Sequence, residues 1–512
     1  MSRSSRPPFS PSPSLANDAW KVLETDGQDA EWVPVCACPA DFPIEIFDAA
    51  VSQLVHHPEY NSTLILRSDI VKETTEEVDQ LLGILRLQGL RSLRNIHRRL
   101  LPRRPGRDPP IEQDCTFYAA SRRHSPEHTE REGGPHTSCL VLTAKLKENE
   151  QMPYYHPAVY HLAFRYLTPP QDESQNLNDG KSSYEGARLR IEVVPHSSAP
   201  DPKDVNSRLY RTCLSLLETV HRYGWGIMSN YQKRVHHDCL VSREEYQDLY
   251  LVMRERHKHL VDNWHESTDP LKHVFEDIGI ATFLILLWKQ ENSVNLHSFV
   301  PVSASIDEEN QRESMPWQNW SRPPGGFLDF GCGNGLLVHI LISEGYIGEG
   351  IDVRARISWA HYPPETQEHL HVHALDPLDV LQAQNHHFLK PGTFIIANHA
   401  DELSPWTPVL AALCGASGYL SIPCCPWSFD ARFVRAQVLS TSPWTAFALA
   451  LPSGTSYDEF VATLRLGGAE GGKSAYSLYR VWLANLSLHC GWEVECETLR
   501  IPSTRNWAII GE

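Results

Sequence analysis

The most chemically specific pattern in the chain is an acid, three alternating glycines and a second acid. Residues 327–353 read FLDFGCGNGLLVHILISEGYIGEGIDV. An apolar run ends in Asp329-x-Gly331-x-Gly333-x-Gly335, and a second apolar run begins at once. Glycines let the backbone turn sharply and approach a ligand with no Cβ in the way. Asp352 closes the next strand-like run, 352 − 333 = 19 residues past the middle glycine. A carboxylate so placed accepts the hydroxyls of a ribose. A dinucleotide fingerprint would space its glycines G-x-G-x-x-G and seat phosphates on the helix that follows. Here the spacing is G-x-G-x-G behind an aspartate, which repels pyrophosphate and suits a ligand carrying a positive amino group, such as S-adenosylmethionine. Asn334 within the loop and Asp376 further on complete the expected cofactor-binding set of Asp329, Gly331, Gly333, Asn334, Gly335, Asp352 and Asp376.

Methyl transfer from a sulfonium needs an acceptor held in line and, for a hydroxyl acceptor, a base within hydrogen-bond reach. The fourth strand-like run ends in Asn398-His399-Ala400-Asp401-Glu402, where a doubly wound sheet places its acceptor site. Asp401 is the first candidate for base or orienter and His399 the second; helix capping and structural packing are the plainer readings. Lys473 follows a glycine-rich stretch and is a third catalytic candidate. Arg505 in the RIPSTR segment is placed to hold a phosphate. Pro423-Cys424-Cys425 raises a different chemistry, nucleophilic attack of a thiol on a pyrimidine base; the pair ends the fifth strand-like run, and two buried thiols are the plainer reading.

From Arg86 to Arg107 there are eight arginines and no acid. If residues 74–101 form a helix, Arg94, Arg98, Arg99 and Arg103 belong to a phosphate track for a folded RNA. A basic insertion or a localisation patch is the alternative. His236-His237-Asp238-Cys239 and Cys36-x-Cys38 lack a second pair at zinc-ligand spacing, so no metal is expected.

These residues need elements to position them. From Gly326 to the end, strand-like runs at 327–330, 349–352, 371–375, 393–398 and 418–423 alternate with helix-capable segments, which argues for a parallel sheet covered on both faces. Residues 492–499 and 507–510 read as a closing hairpin. Upstream, the pattern divides into a Ser/Pro/Arg-rich disordered tail (1–17), an N-terminal α/β domain (18–196) that recognises RNA, a helical segment (197–302) and a polar linker (303–325). Within the N-terminal domain, strands are expected at 32–35, 62–67, 139–146 and 188–194, a helix at 74–101 and a loop at 169–183. The whole is a Rossmann-like class I methyltransferase domain (326–512) behind an α/β domain. The 512 residues carry 46 Lys and Arg against 63 Asp and Glu, a net charge of −17, so nucleic-acid binding requires a local basic face. The longest apolar run, 278–288, is too short for a bilayer, and residues 1–14 lack a secretory h-region. Twelve irregularly spaced cysteines read as reduced thiols. The expected location is the cytoplasm.

Several blocks carry a resemblance. They are YQKRVHHDCLVSREEYQDLY (231–250), TDPLKHVFEDIGIATFLILLW (268–288), LDFGCGNGLLVHILISEGYIGEGIDVRARISW (328–359), IIANHADELSPWTPVLAA (395–412) and RIPSTRNWAIIG (500–511). In this order they resemble the eukaryotic tRNA (uracil-2′-O-)-methyltransferases, here a fungal-type member. The resemblance implies a methyl transfer from S-adenosylmethionine to the ribose 2′-hydroxyl of uridine 44 in serine tRNA. A C5-pyrimidine RNA methyltransferase using Cys424 or Cys425, and a catalytically inactive RNA-binding scaffold, are the alternatives. In the 268–288 block, Lys272, His273, Glu276 and Asp277 are either a buried polar network or substrate contacts.

Overall fold

The computed structural model describes residues 6–13, 20–27, 30–104, 107–121, 135–146, 150–169, 184–231, 236–291, 315–377, 380, 387–429, 431–433, 456–466 and 474–512. The chain divides into two compact units, residues 1–232 and 233–512. No helix among the described residues is long and apolar enough to cross a membrane.

The first unit is an eight-stranded sheet: β1 (Ser12–Pro13), β2 (Val33–Pro39), β3 (Ile65–Thr74), β4 (Leu90–Pro102), β5 (Ile111–Ala120), β6 (Cys139–Lys145), β7 (Val159–Leu167) and β8 (Arg188–Pro195). The order is β1-β2-β8-β7-β6-β5-β4-β3, and every pairing is antiparallel. Two helices, α1 (Ile44–His56) and α2 (Arg208–Met228), pack on it through Phe47, Val51, Leu54, Leu209, Cys213 and Leu217. The expected helix at 74–101 is therefore wrong. Gly83 and Gly89 adopt φ values of +87° and +72°, which interrupt a helix, and β4 follows. Along β4, Ile96, Arg98, Leu100 and Pro102 are buried while Arg99 is exposed, the period of two of a strand. The spacings Arg94–Arg98 and Arg99–Arg103 suit a helical face, but four residues is also an even step, which keeps each pair on one face of an extended chain. The tail reading also needs correction: Ser12 and Pro13 pair with Ala37 and Cys36. The remainder of the expected 169–183 loop, from residue 170, lies outside the described residues.

The second unit begins with helices. α3 (Arg243–His257) packs on α4 (Pro270–Glu291), so the expected helical segment is divided: α2 belongs to the first unit, α3 and α4 to the second. From Ile278 to Trp288, α4 is apolar on all sides and buried, the mark of a core helix. Its Trp288 ring lies 5.4 Å from Phe394 and 6.4 Å from Phe327. Of the expected linker, residues 303–314 lie outside the described residues. Trp317 further on is buried, with its indole donating to Glu344 at 2.9 Å, so that part is packed.

The sheet of this unit comprises β9 (Phe327–Phe330), β10 (Gly348–Asp352), β11 (Leu370–Val372), β12 (Phe394–Asn398), β13 (Gly418–Ile422), β14 (Val494–Thr498) and β15 (Trp507–Gly511). Its order is β11-β10-β9-β12-β13-β15-β14. The strands from β11 to β13 pair parallel, and β15 runs antiparallel to both neighbours. The order reverses between β9 and β12, which opens a crevice at their carboxyl ends.

Candidate active site

A cleft of about 690 Å³ lies over those carboxyl ends. Asp329 reaches it from β9, Gly331, Gly333 and Asn334 from the loop that follows, and Asp352 from the end of β10. His399 and Asp401 enter from the segment after β12. Residues from three separate stretches of sequence thus meet at one place.

The glycine loop is held from below. The Gly333 N–H donates to Asp352 Oδ2 at 2.9 Å, the Trp359 indole donates to the Gly333 carbonyl at 2.9 Å, and the Cys332 N–H donates to the Ile351 carbonyl at 3.0 Å. Gly331 and Gly333 have φ of +65° and +55°, the left-handed region that favours glycine. Gly335 shares that backbone, with φ of +76°, but differs in its surroundings. A Cβ there would stand 2.9 Å from Leu370, so it serves close packing at the helix start and does not line the cleft. Asp376 is exposed, between Leu375 and Pro377, which do line it.

Asp329 is buried, and its Oδ1 has no hydrogen-bond partner among the described residues. Burial first, and then the neighbouring Asp277 and Asp352, hold its carboxyl well above the usual range. An orphaned carboxyl beside an open glycine cradle fits a cationic ligand. S-adenosylmethionine meets that requirement with an ammonium group, a sulfonium and a ribose for Asp352.

The acceptor side holds groups that sequence reasoning left open. α4 sends Glu276 and Asp277 toward the end of β12. Glu276 Oε1 lies 3.2 Å from His399 Nε2, and Asn398 Nδ2 donates to Asp277 Oδ1 at 3.5 Å. Burial acts to raise the Glu276 pKa, but the His399 ring, the Ser503 hydroxyl and Lys272 outweigh it and hold the carboxylate below the usual range. Asp277 has no such partner; burial and then Glu276 push it up to about 8. His399 Nδ1 is buried without a partner among the described residues. His399 and Asp401 have φ of +56° and +43°, strained for non-glycine residues and typical of positions held for function. Trp406 and Phe429, whose rings meet edge to face at 4.7 Å, form an aromatic wall that no motif announced.

Other expected residues fall elsewhere. The Cys424 thiol donates to Asp401 Oδ1 at 3.2 Å, and burial followed by that carboxylate pushes it up to about 12. The Arg505 guanidinium lies over the Tyr476 ring at 3.8 Å, and the Tyr476 hydroxyl donates to the Pro423 carbonyl, next to Cys424. Lys473 lies outside the described residues. Asp238 forms a two-pronged ion pair with Arg500, and the His237 ring bonds the Thr498 carbonyl, so this stretch ties the unit to its C-terminal hairpin. Cys36 and Cys38 are buried in the core of the first unit. There, Arg98 is buried and donates to Gln113 and to the Leu54 and Val55 carbonyls, and Arg94 is paired with Asp48 and Glu73. Arg99 and Arg103 are exposed.

Residues 8–234 match a family model described as "TRM44-like, N-terminal bet v1-like domain", and residues 240–306 and 315–377 match one described as "Predicted AdoMet-dependent methyltransferase". A tRNA (uracil-O(2)-)-methyltransferase of Neurospora crassa is 32% identical over 99% of this chain and 92% of its own length. The protein of that name in Schizosaccharomyces pombe is 33% identical over 94% of this chain and 85% of its own, and that in Saccharomyces cerevisiae 29% over 97% and 88%. The chain belongs to the tRNA (uracil-O(2)-)-methyltransferase family. The first matched region ends at 234, two residues past the division at 232. The second takes in α3 and α4 as well as β9 to β11, so the family's methyltransferase domain begins with these helices and not with the glycine loop. No solved structure matches the chain.

Proposed function

We propose that this chain transfers a methyl group from S-adenosylmethionine to the ribose 2′-hydroxyl of a uridine in tRNA, and that position 44 of serine tRNA is its target. The observation that carries the reading is one cleft with a cation-seeking carboxyl, Asp329, and a glycine cradle on one side and a histidine–glutamate pair on the other. The strand order, with one reversed strand beside the last parallel one, supports a Rossmann-like class I methyltransferase domain. The names of the relatives, and coverage of nearly their full length, support tRNA as the substrate.

When bound, S-adenosylmethionine supplies a methyl group already activated on a positive sulfur. Asp352 would hold the ribose of the nucleoside and Asp329 its amino group. His399, which lines the cleft, acts as base, and Glu276 fixes its ring through Nε2. Asp401 is the second candidate. Trp406 and Phe429 offer aromatic surface on which a uracil stacks. Arg505, Arg99 and Arg103 are exposed and remain the candidates for phosphate contacts, whereas Arg98 is turned inward and Arg94 is already paired. The protein works in the cytoplasm, where free thiols persist.

A thiol nucleophile for base C5 chemistry is disfavoured at Cys424, because burial and Asp401 both oppose the thiolate that attack requires. The experiment is transfer of labelled methyl from S-adenosylmethionine to unmodified serine tRNA, followed by nucleoside analysis. 2′-O-methyluridine is expected; 5-methylated pyrimidine, or no product, overturns the reading.

A further inference from the structure

We propose that Asp401, Cys424 and Cys425 form a three-ligand site for a zinc ion at the rim of the cleft. The candidate ligand atoms of these residues lie within 4.8 Å of one another, and the Cys424 Sγ to Asp401 Oδ1 distance is 3.2 Å. Zinc–sulfur and zinc–oxygen bonds of about 2.3 and 2.0–2.2 Å in tetrahedral geometry place neighbouring ligand atoms about 3.5–3.8 Å apart, so little movement is needed.

The backbone keeps the three together. Asn398 and Ile422 are register partners at the ends of the parallel strands β12 and β13, and the His399 N–H donates to the Ile422 carbonyl at 3.2 Å. The ligands therefore leave adjacent strand ends within three residues of that pairing. Asp401 is held in a left-handed conformation, and the Tyr476 hydroxyl fixes the Pro423 carbonyl one residue before Cys424. Ligands carried on fixed strand ends need little ordering when the ion arrives. Two thiolates with one carboxylate suit a borderline-soft divalent ion better than magnesium or calcium. Binding releases the thiol protons, and the ion's charge reverses the local penalty against thiolate.

Three protein ligands leave a fourth position, which borders the cleft because Asp401 lines it. This is the coordination pattern of zinc sites that keep an exchangeable water or substrate oxygen. In that arrangement Asp401 serves as ligand and His399 remains the base. The site does not depend on the methyl-transfer reading and stands or falls on metal content.

The test uses the full chain, purified without chelator and exchanged into cobalt. About one equivalent of zinc and a cobalt–thiolate charge-transfer band are expected. Cys424→Ser, Cys425→Ser and Asp401→Asn should each lower zinc affinity at least tenfold, read against a chromogenic chelator. Cys490→Ser, outside the cluster, should leave it unchanged. Circular dichroism and S-adenosylmethionine binding by the same variants verify the fold. Wild-type zinc content no higher than that of the Cys424→Ser/Cys425→Ser double variant overturns the proposal. So does a Cys424–Cys425 disulfide, seen as a mass lower by two hydrogens and resistance to alkylation in freshly purified protein.

Discussion

Glu276 Oε1 stands 3.2 Å from His399 Nε2, joining a helix outside the sheet to the end of its central strand. The contact gives the histidine a fixed ring orientation and a carboxylate that stays ionised at neutral pH. A general base of this kind contributes about 10²–10⁴-fold to a rate. His399→Ala should lower kcat by that order while the S-adenosylmethionine dissociation constant changes less than threefold. Glu276→Gln should lower kcat less and move the pH profile. Parallel loss of cofactor affinity in both variants would show that the pair organises the cleft and does not act on the acceptor.

Asp352 accepts the Gly333 N–H and, on the proposed reading, the ribose hydroxyls of the ligand as well. Asp352→Ala should weaken S-adenosylmethionine binding by about 1.5–3 kcal/mol for each charged hydrogen bond removed. Gly333→Val should abolish binding while the melting transition stays cooperative. Calorimetric affinities equal to wild type in both would remove the cofactor assignment.

Asp277 makes stability depend on pH. Its folded pKa of about 8 lies above the unfolded value of about 3.9, so the folded state holds the extra proton between them. Stability should therefore fall as pH rises from about 4 toward 8. Asp277→Asn removes that slope, and its melting temperature should gain on wild type between pH 6 and pH 8. A constant difference across that range would contradict the buried-acid picture. Cation binding should also expel the proton from Asp277, so S-adenosylmethionine affinity should rise over the same range. Calorimetry in buffers of different ionisation enthalpy would detect the released protons.

The arginines of β4 and of the residue that follows it separate into two classes. Arg99→Gln with Arg103→Gln should weaken tRNA binding and lower the log–log salt slope by about 0.7–0.9 for each phosphate no longer neutralised. Arg98→Gln should instead lower thermal stability, because it unties Gln113 and two backbone carbonyls. A salt slope unchanged in the exposed pair would remove β4 from the RNA surface.

Incubation with tRNA carrying 5-fluorouridine should yield no denaturation-resistant complex. A covalent adduct that disappears in Cys424→Ala would replace the ribose reading with base chemistry.

The glycine loop, both flanking acids and the strand-end polar run were legible because they are local: a few residues fix both the turn and the chemistry. The strands of the second unit were legible for the same reason, as buried runs bounded by glycine and aspartate. What sequence concealed is what distance in the chain conceals. Glu276 and Asp277 sit in an apolar helix, and only folding shows that they face Asn398 and His399, over 120 residues away. Trp406 lies in the 395–412 block and Phe429 in none, and nothing in either segment announced that the two rings meet. In β4, a four-residue arginine spacing fits a helix and a strand alike, and the inward turn of Arg98 followed from strand alternation that the misread period hid.

The position of α4 has a consequence for how the protein is taken apart. A fragment starting at Gly326 keeps all seven strands of the second sheet and the glycine motif, and by sequence it passes for a self-sufficient catalytic module. It would lose Glu276 and Asp277 from the cleft and lay bare the apolar surface that Val274, Ile278, Leu284 and Trp288 now cover. Such a fragment would aggregate before its chemistry could be assayed. The smallest transplantable methyltransferase therefore begins upstream of the nucleotide-binding motif, near residue 236, with the segment whose Asp238 grips Arg500 at the far end of the chain.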